Sequence, residues 1–194
     1  MTEETRFPSL VSLACHDLRT PLATVYGFAR TITRAQGIDP TLAGYSEMIE
    51  IASRQLGELI EELSLAARIS AGRYEPKLER VELAEVAAAA AERLGAERVQ
   101  IGGAGGQVTV DVEPTKRSVS SLVQCALRHG GLDQVDVALD GTALSVAPIT
   151  ASSAPVVLGD DLRDLGAAVA VLHLRHLGGS VALDGETLTV SFPA

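Results

Sequence analysis

Two apolar stripes with a seven-residue period run through the first 75 residues and strongly limit how they fold. Val11, Leu18, Val25 and Ile32 share one heptad position, and Ala14, Pro21, Phe28 and Ala35 share another. After a break at Gly37-Ile38-Asp39-Pro40 the period resumes as Leu42, Ile49, Leu56 and Leu63, interleaved with Tyr45, Ala52, Leu59 and Ala66, and it ends near Gly72. Sustained a and d positions of this kind predict two helices, each with one narrow apolar seam. The glycine stops the first helix and the proline opens the second. A lone hairpin leaves half of each seam in water, whereas fully burying a Leu or Ile side chain is worth about 1.5–3 kcal/mol. A two-fold dimer forming a four-helix bundle is the expected solution, with cover by the C-terminal half of the chain as the alternative.

From residue 78 the pattern changes. Leu83 to Leu94 predicts an alanine-rich helix, followed by a turn at Gly102, Gly103, Gly105 and Gly106 and a strand from Val108 to Val112. Thr115 to His129 sets Val119, Leu122, Val123, Ala126 and Leu127 on one helical face. Short strands at Val135–Leu139 and Ala143–Val146 flank Asp140-Gly141. A last helix is marked by Leu162, Leu165, Val169, Leu172 and Leu177, and a hairpin around Asp184-Gly185 closes the chain. The expected fold class is α + α/β: a helical hairpin over residues 1–75 and a two-layer α/β sandwich over residues 78–194.

Charge and composition narrow the function classes. The net charge of −9, with 15 of the 25 acidic side chains in residues 78–194, argues against nucleic acid as a partner. Aromatic residues make up 3% and Trp is absent, which disfavours a base-stacking platform. No apolar run approaches the roughly 18–20 residues of a membrane span. The N-terminal MTEETRFPSL has no signal-peptide pattern. Cys15 and Cys125 give neither a disulfide framework nor metal-ligand spacing. A soluble cytoplasmic protein is expected.

The chemistry concentrates in Ala14-Cys15-His16-Asp17-Leu18-Arg19-Thr20-Pro21-Leu22. In the heptad register His16 points away from the seam, Asp17 lies beside it, and Thr20 shares its outward face one turn on. Pro21 lacks an N–H and crowds the Asp17 carbonyl, a disturbance on the order of 3 kcal/mol in a helix interior. An exposed imidazole is a competent nucleophile toward a phosphoryl group, and Asp17 can hold one ring nitrogen to fix the tautomer. His16 to Leu22 closely resembles the H-box of bacterial sensor histidine kinases. Tyr45 to Glu50 and Leu65 to Gly72 resemble the second helix of that family's dimerisation domain, at its usual separation. The resemblance implies that His16 is the phosphoacceptor, Asp17 its acid/base neighbour, and Thr20 the position that orients water in dephosphorylation of a partner's phospho-aspartate. Arg19 and Pro21 would then belong to a docking face for that partner, with a solvated charge as the plain alternative for Arg19. Cys15 is expected to pack at the flank of the seam.

The order of elements after residue 78 resembles the ATP-binding domain of the same kinases, but the nucleotide-binding residues differ. Ser121 and Cys125 stand where the family has two asparagines, the second a magnesium ligand; neither supplies the carbonyl oxygen a hard cation prefers. Val146-Ala147-Pro148-Ile149-Thr150 replaces a strand ending in Asp-x-Gly-x-Gly. The later glycine box is reduced to Asp164-Leu165-Gly166-Ala167, where an aspartate at a helix start would repel a triphosphate. The stretch between Ile149 and Asp161 is short for a nucleotide lid. No ATP and no resident metal are therefore expected. His129, His173 and His176 read as helical residues without Cys or carboxylate partners at ligand spacing. Gly102 to Gly106 reads as an inter-element loop, and the acidic Leu158-Gly159-Asp160-Asp161 as the N-cap of the last helix.

The expected function is histidine phosphotransfer between receiver domains of response regulators through phospho-His16, by a homodimer, with magnesium supplied by the receiver. Two alternatives remain from other classes. One is an active enzyme, either a kinase or a receiver phosphatase using Thr20; the other is a non-catalytic dimeric scaffold. Input is expected to come from another protein or from sequence beyond these 194 residues.

Overall fold

Pro40 opens the second helix as the sequence implies, and Asp39, which the sequence reading did not single out, caps it. The Asp39 side chain accepts a hydrogen bond from the Thr41 N–H at 2.8 Å, and Pro40 takes the first helical position. The N–H groups of Thr41 and Leu42 hold the Asp39 carboxyl below the usual range. Gly37, at φ 76°, supplies the left-handed residue that turns the chain. The turn joins α1 (Glu3–Thr33) to α2 (Pro40–Ser70), each of 31 residues. The structure is a computed structural model describing residues 3–35 and 37–193. Met1, Thr2 and Ala194, at the outer ends of the expected domains, lie outside the described residues. The chain divides into two compact units, Met1–Arg73 and Tyr74–Ala194.

Each arm of the hairpin carries two stripes rather than the single seam expected. Cys15 and Ala29 on α1 and the small Ser46 and Ser53 on α2 are buried, and Tyr26 Oη donates to Glu50 at 3.4 Å across the arms. The heptad residues point elsewhere. Leu18, Val25, Phe28 and Ile32 on α1, with Leu42, Tyr45, Ile49, Leu56, Leu59 and Leu63 on α2, are 40–67% exposed. Small residues let the two backbones approach, and the larger aliphatic side chains form an outward apolar face.

The second unit begins with β1 (Leu78–Glu82), which pairs antiparallel with β3 (Gln107–Asp111) in a two-stranded ribbon. A five-stranded sheet follows in the order β2-β4-β5-β7-β6, with β2 (Val99–Gly105) parallel to β4 (Val135–Gly141). β5 (Ala143–Ala147), β7 (Thr187–Ser191) and β6 (Ser180–Asp184) complete it in antiparallel pairs. Register places Leu139 opposite Leu144, Leu144 opposite Val190, and Val190 opposite Val181, a buried row across one face. The helices α3 (Leu83–Leu94), α4 (Val112–Gly130), α5 (Ala154–Val157) and α6 (Leu165–His176) form the second layer. The five apolar residues expected on the inner face of α4, Val119, Leu122, Val123, Ala126 and Leu127, are all buried. The two-layer sandwich thus forms as its pattern implies.

Three local expectations are corrected. The glycine segment at 102–106 is largely strand, because β2 pairs with β4 through Gly105. Gly103 has φ +83°, and a Cβ there would collide with the Leu139 carbonyl oxygen, so glycine serves close strand approach. The last helix starts at Leu165; Leu162 is 78% exposed and outside it. Its cap is Asp164, not Asp160 or Asp161, for Asp164 accepts from the Ala167 N–H at 3.0 Å while Asp161 binds Arg163.

Candidate functional site

His16 lies midway along α1, which continues through Pro21. Its side chain is 77% exposed, and Nδ1 sits 3.2 Å from Asp17 Oδ1. With the carboxylate ionised, the ring proton belongs on Nδ1 and the lone pair of Nε2 is left for attack. Thr20, Arg19 and Pro21 are exposed on the same stretch of helix. Thr24 Oγ1 donates to the Thr20 carbonyl at 3.1 Å, one turn beyond the proline. Arg19 also borders a cleft of about 390 Å³ between the arms, lined further by Leu22, Tyr26, Arg54, Gly57 and Glu58. Cys15 is buried, with 1% exposure, so it does not join the exposed site.

The positions compared with a nucleotide site lie in the second unit. Ser121 and Cys125 are buried on α4, and burial pushes the Cys125 thiol up to about 12, with the Asp164 charge adding to the effect. Ala147 ends β5 and is followed by Pro148. Asp164 spends one oxygen capping α6 and the other on His129 Nε2 at 3.1 Å. Gly166 lies in the first turn of α6. His129 therefore does have partners, contrary to the sequence reading: ligand atoms of Cys125, His129 and Asp164 all lie within 4.8 Å of one another. The signal was present as Cys and His four residues apart on one helix.

Sequence reasoning also missed a buried polar chain. His173 is fully buried on α6, with Nδ1 2.9 Å from Ser118 Oγ and Nε2 3.2 Å from Tyr74 Oη. Tyr74 Oη donates to Asp111 Oδ2 at 2.7 Å. Burial lowers the His173 pKa to about 4, with the Asp111 charge opposing the shift. This neutral imidazole joins α4, α6 and the segment entering the second unit. A His at helical spacing from Val169 and Ala170 was its only trace in the sequence.

Comparison with known proteins follows the same division. Residues 9–72 match the His Kinase A (phospho-acceptor) domain. An uncharacterized sensor-like histidine kinase of Rhizobium meliloti is 28% identical over 189 residues, which cover 90% of this chain and 33% of that protein. The sensor protein DivL of Caulobacter vibrioides is 31% identical over 98 residues, covering 50% of this chain and 12% of that one. The chain thus spans a third or less of these relatives. The structure of full-length ShkA in complex with AMPPNP shares the fold with a TM-score of 0.67 at 18% identity, over 96% of this chain and 47% of that one. The Acinetobacter baumannii histidine kinase AdeS gives 0.56 at 16% identity, over 91% of this chain and 96% of that one. Among the described residues no helix is long and apolar enough to cross a membrane. Residues 9–72 thus match a His Kinase A phospho-acceptor domain, and the chain as a whole is similar in sequence to a sensor-like histidine kinase and in fold to histidine kinase structures.

Proposed function

We propose that the chain is a homodimeric histidine phosphotransfer protein that receives a phosphoryl group on His16 from a receiver domain's phospho-aspartate and passes it to a second receiver, without binding ATP. The observation that carries this reading is the 77% exposed imidazole held through Nδ1 by Asp17. In the forward step the bond between phosphorus and the aspartyl oxygen breaks as the Nε2–P bond forms, and the receiver's aspartate leaves as a free carboxylate. The ring then carries positive charge, which Asp17 offsets at Nδ1. Magnesium bound by the receiver would neutralise the phosphoryl oxygens. The outward apolar faces of α1 and α2 support dimerisation into a four-helix bundle. Arg19, Thr20 and Pro21 would form the receiver-docking face around His16.

The second unit supports loss of ATP binding. A buried thiol at Cys125 replaces a hard-cation ligand, and the Asp164 side chain occupies the start of α6 by accepting the Ala167 N–H, where a triphosphate would need bare N–H groups. The competing reading is an active kinase, since ShkA was solved with AMPPNP. The test incubates the protein with a phosphorylated receiver and scores acid-labile label. Label on wild type, its loss in His16→Ala, and no label from magnesium-ATP alone are expected. Labelling from ATP, or transfer that survives in His16→Ala, overturns the proposal.

A further inference from the structure

Three metal-ligating side chains converge in the second unit from two helices. Cys125 and His129 stand one turn apart on α4, and Asp164 reaches them from the cap of α6, all with ligand atoms within 4.8 Å. Two ligands on a tetrahedral zinc with bonds near 2.1 Å stand about 3.4 Å apart, and a sulfur with a bond near 2.3 Å stands about 3.6 Å from its neighbours. His129 Nε2 and Asp164 Oδ2, at 3.1 Å, are already near that spacing. The sulfur lies within 4.8 Å of both and so has at most about 1 Å to close. Ser152 Oγ donates to the His129 carbonyl at 2.9 Å, and the Ala167 N–H holds Asp164 Oδ1, so both ends are fixed in place. Cys125 is fully buried, whereas the His129 and Asp164 side chains retain 18% and 13% exposure and leave an entry path.

We propose that Cys125, His129 and Asp164 bind one divalent ion of the zinc class and that the ion braces α4 against α6. A plain His129–Asp164 ion pair explains two members of the group but not the thiol within reach of both. Sulfur and imidazole favour zinc or cobalt over magnesium or calcium. Three protein ligands leave a fourth position for water. On binding, the thiol releases its proton to solvent as the metal–sulfur bond forms, and the imidazole proton moves from Nε2 to Nδ1. The site then holds one thiolate, one neutral imidazole and one carboxylate. This inference is independent of phosphotransfer at His16.

The test titrates the full, tag-free chain with cobalt(II) and follows the thiolate-to-cobalt charge-transfer band, then displaces cobalt with zinc. A one-to-one complex with that band is expected. Cys125→Ser should lose the band, and His129→Gln should weaken binding more than about 100-fold, beyond what loss of an outer-shell partner costs. Cys15→Ser, the control at the other cysteine, should keep both band and affinity, because Cys15 lies outside the three-residue group. If Cys125→Ser fails to fold, His129→Gln, on a partly exposed residue, decides. No cobalt complex, a complex without the thiolate band, one unaffected by His129→Gln, or one lost in Cys15→Ser overturns the proposal.

Discussion

In the proposed transfer, the hydrogen bond between Asp17 and His16 Nδ1 selects Nε2 as the attacking nitrogen. Asp17 at 3.2 Å from Nδ1 keeps the proton there and carries charge that the neutral amide of Asn lacks. Asp17→Asn should therefore slow transfer from a phosphorylated receiver by about 100-fold, in the range of a positioned acid/base group, while helical circular dichroism stays unchanged. Quench-flow labelling of the two proteins checks this; equal rates would make Asp17 a bystander. His173 shows the opposite use of an imidazole. Its pKa lies near 4 when folded against an ordinary 6.5, so the unfolded chain takes up a proton that the native state refuses. Its contribution is complete above pH 6.5 and is lost as pH falls toward 4, for a total of about 3 kcal/mol. Urea unfolding across that window should show His173→Gln with a shallower pH dependence than wild type by about this amount.

The helices and hairpins were legible wherever one local cue dominated. Pro40 opened α2, the glycines at 141 and 185 closed two hairpins, and the period of α4 located its buried face. Legibility failed where a tertiary partner decides. β1 offers only Val81 to the core, so its sequence has no alternation, and its strand conformation comes from pairing with β3. β2 reads as a turn because its glycines answer to Leu139 on β4 rather than to chain reversal. The candidate site divides in the same way. His16, Asp17 and Thr20 lie within two turns of one helix and follow from spacing, whereas Cys125, His129 and Asp164 meet only once α4 packs on α6. Gly103→Ala tests the strand account: it adds a Cβ at positive φ directly against the Leu139 carbonyl. The substitution should cost more than about 2 kcal/mol, seen as a lower urea midpoint, while Gly102→Ala, whose Cβ meets nothing within 4 Å, should cost far less.

On the scale of the whole molecule, the two units solve burial differently. The second unit encloses its own core, with Leu83, Leu122, Leu144, Leu174 and Leu188 all at 0–1% exposure. The hairpin buries small residues such as Cys15, Ala29, Ser46 and Ser53 and leaves many of its larger apolar side chains outside. Phe28 is 67% exposed and Leu56 52%, an arrangement that an isolated hairpin has no reason to adopt. If a second copy covers this face, a charge placed in it must break the assembly and leave the other unit intact. Phe28→Glu with Leu56→Glu should shift sedimentation from dimer to monomer at equal concentration. The urea transition of the second unit should stay where it is, since its core is built from its own residues, Val81 to Phe192. A wild-type chain that sediments as a monomer would instead mean that the outward stripes are covered in some other way, and the proposed phosphotransfer at His16 would then have to work on a single hairpin.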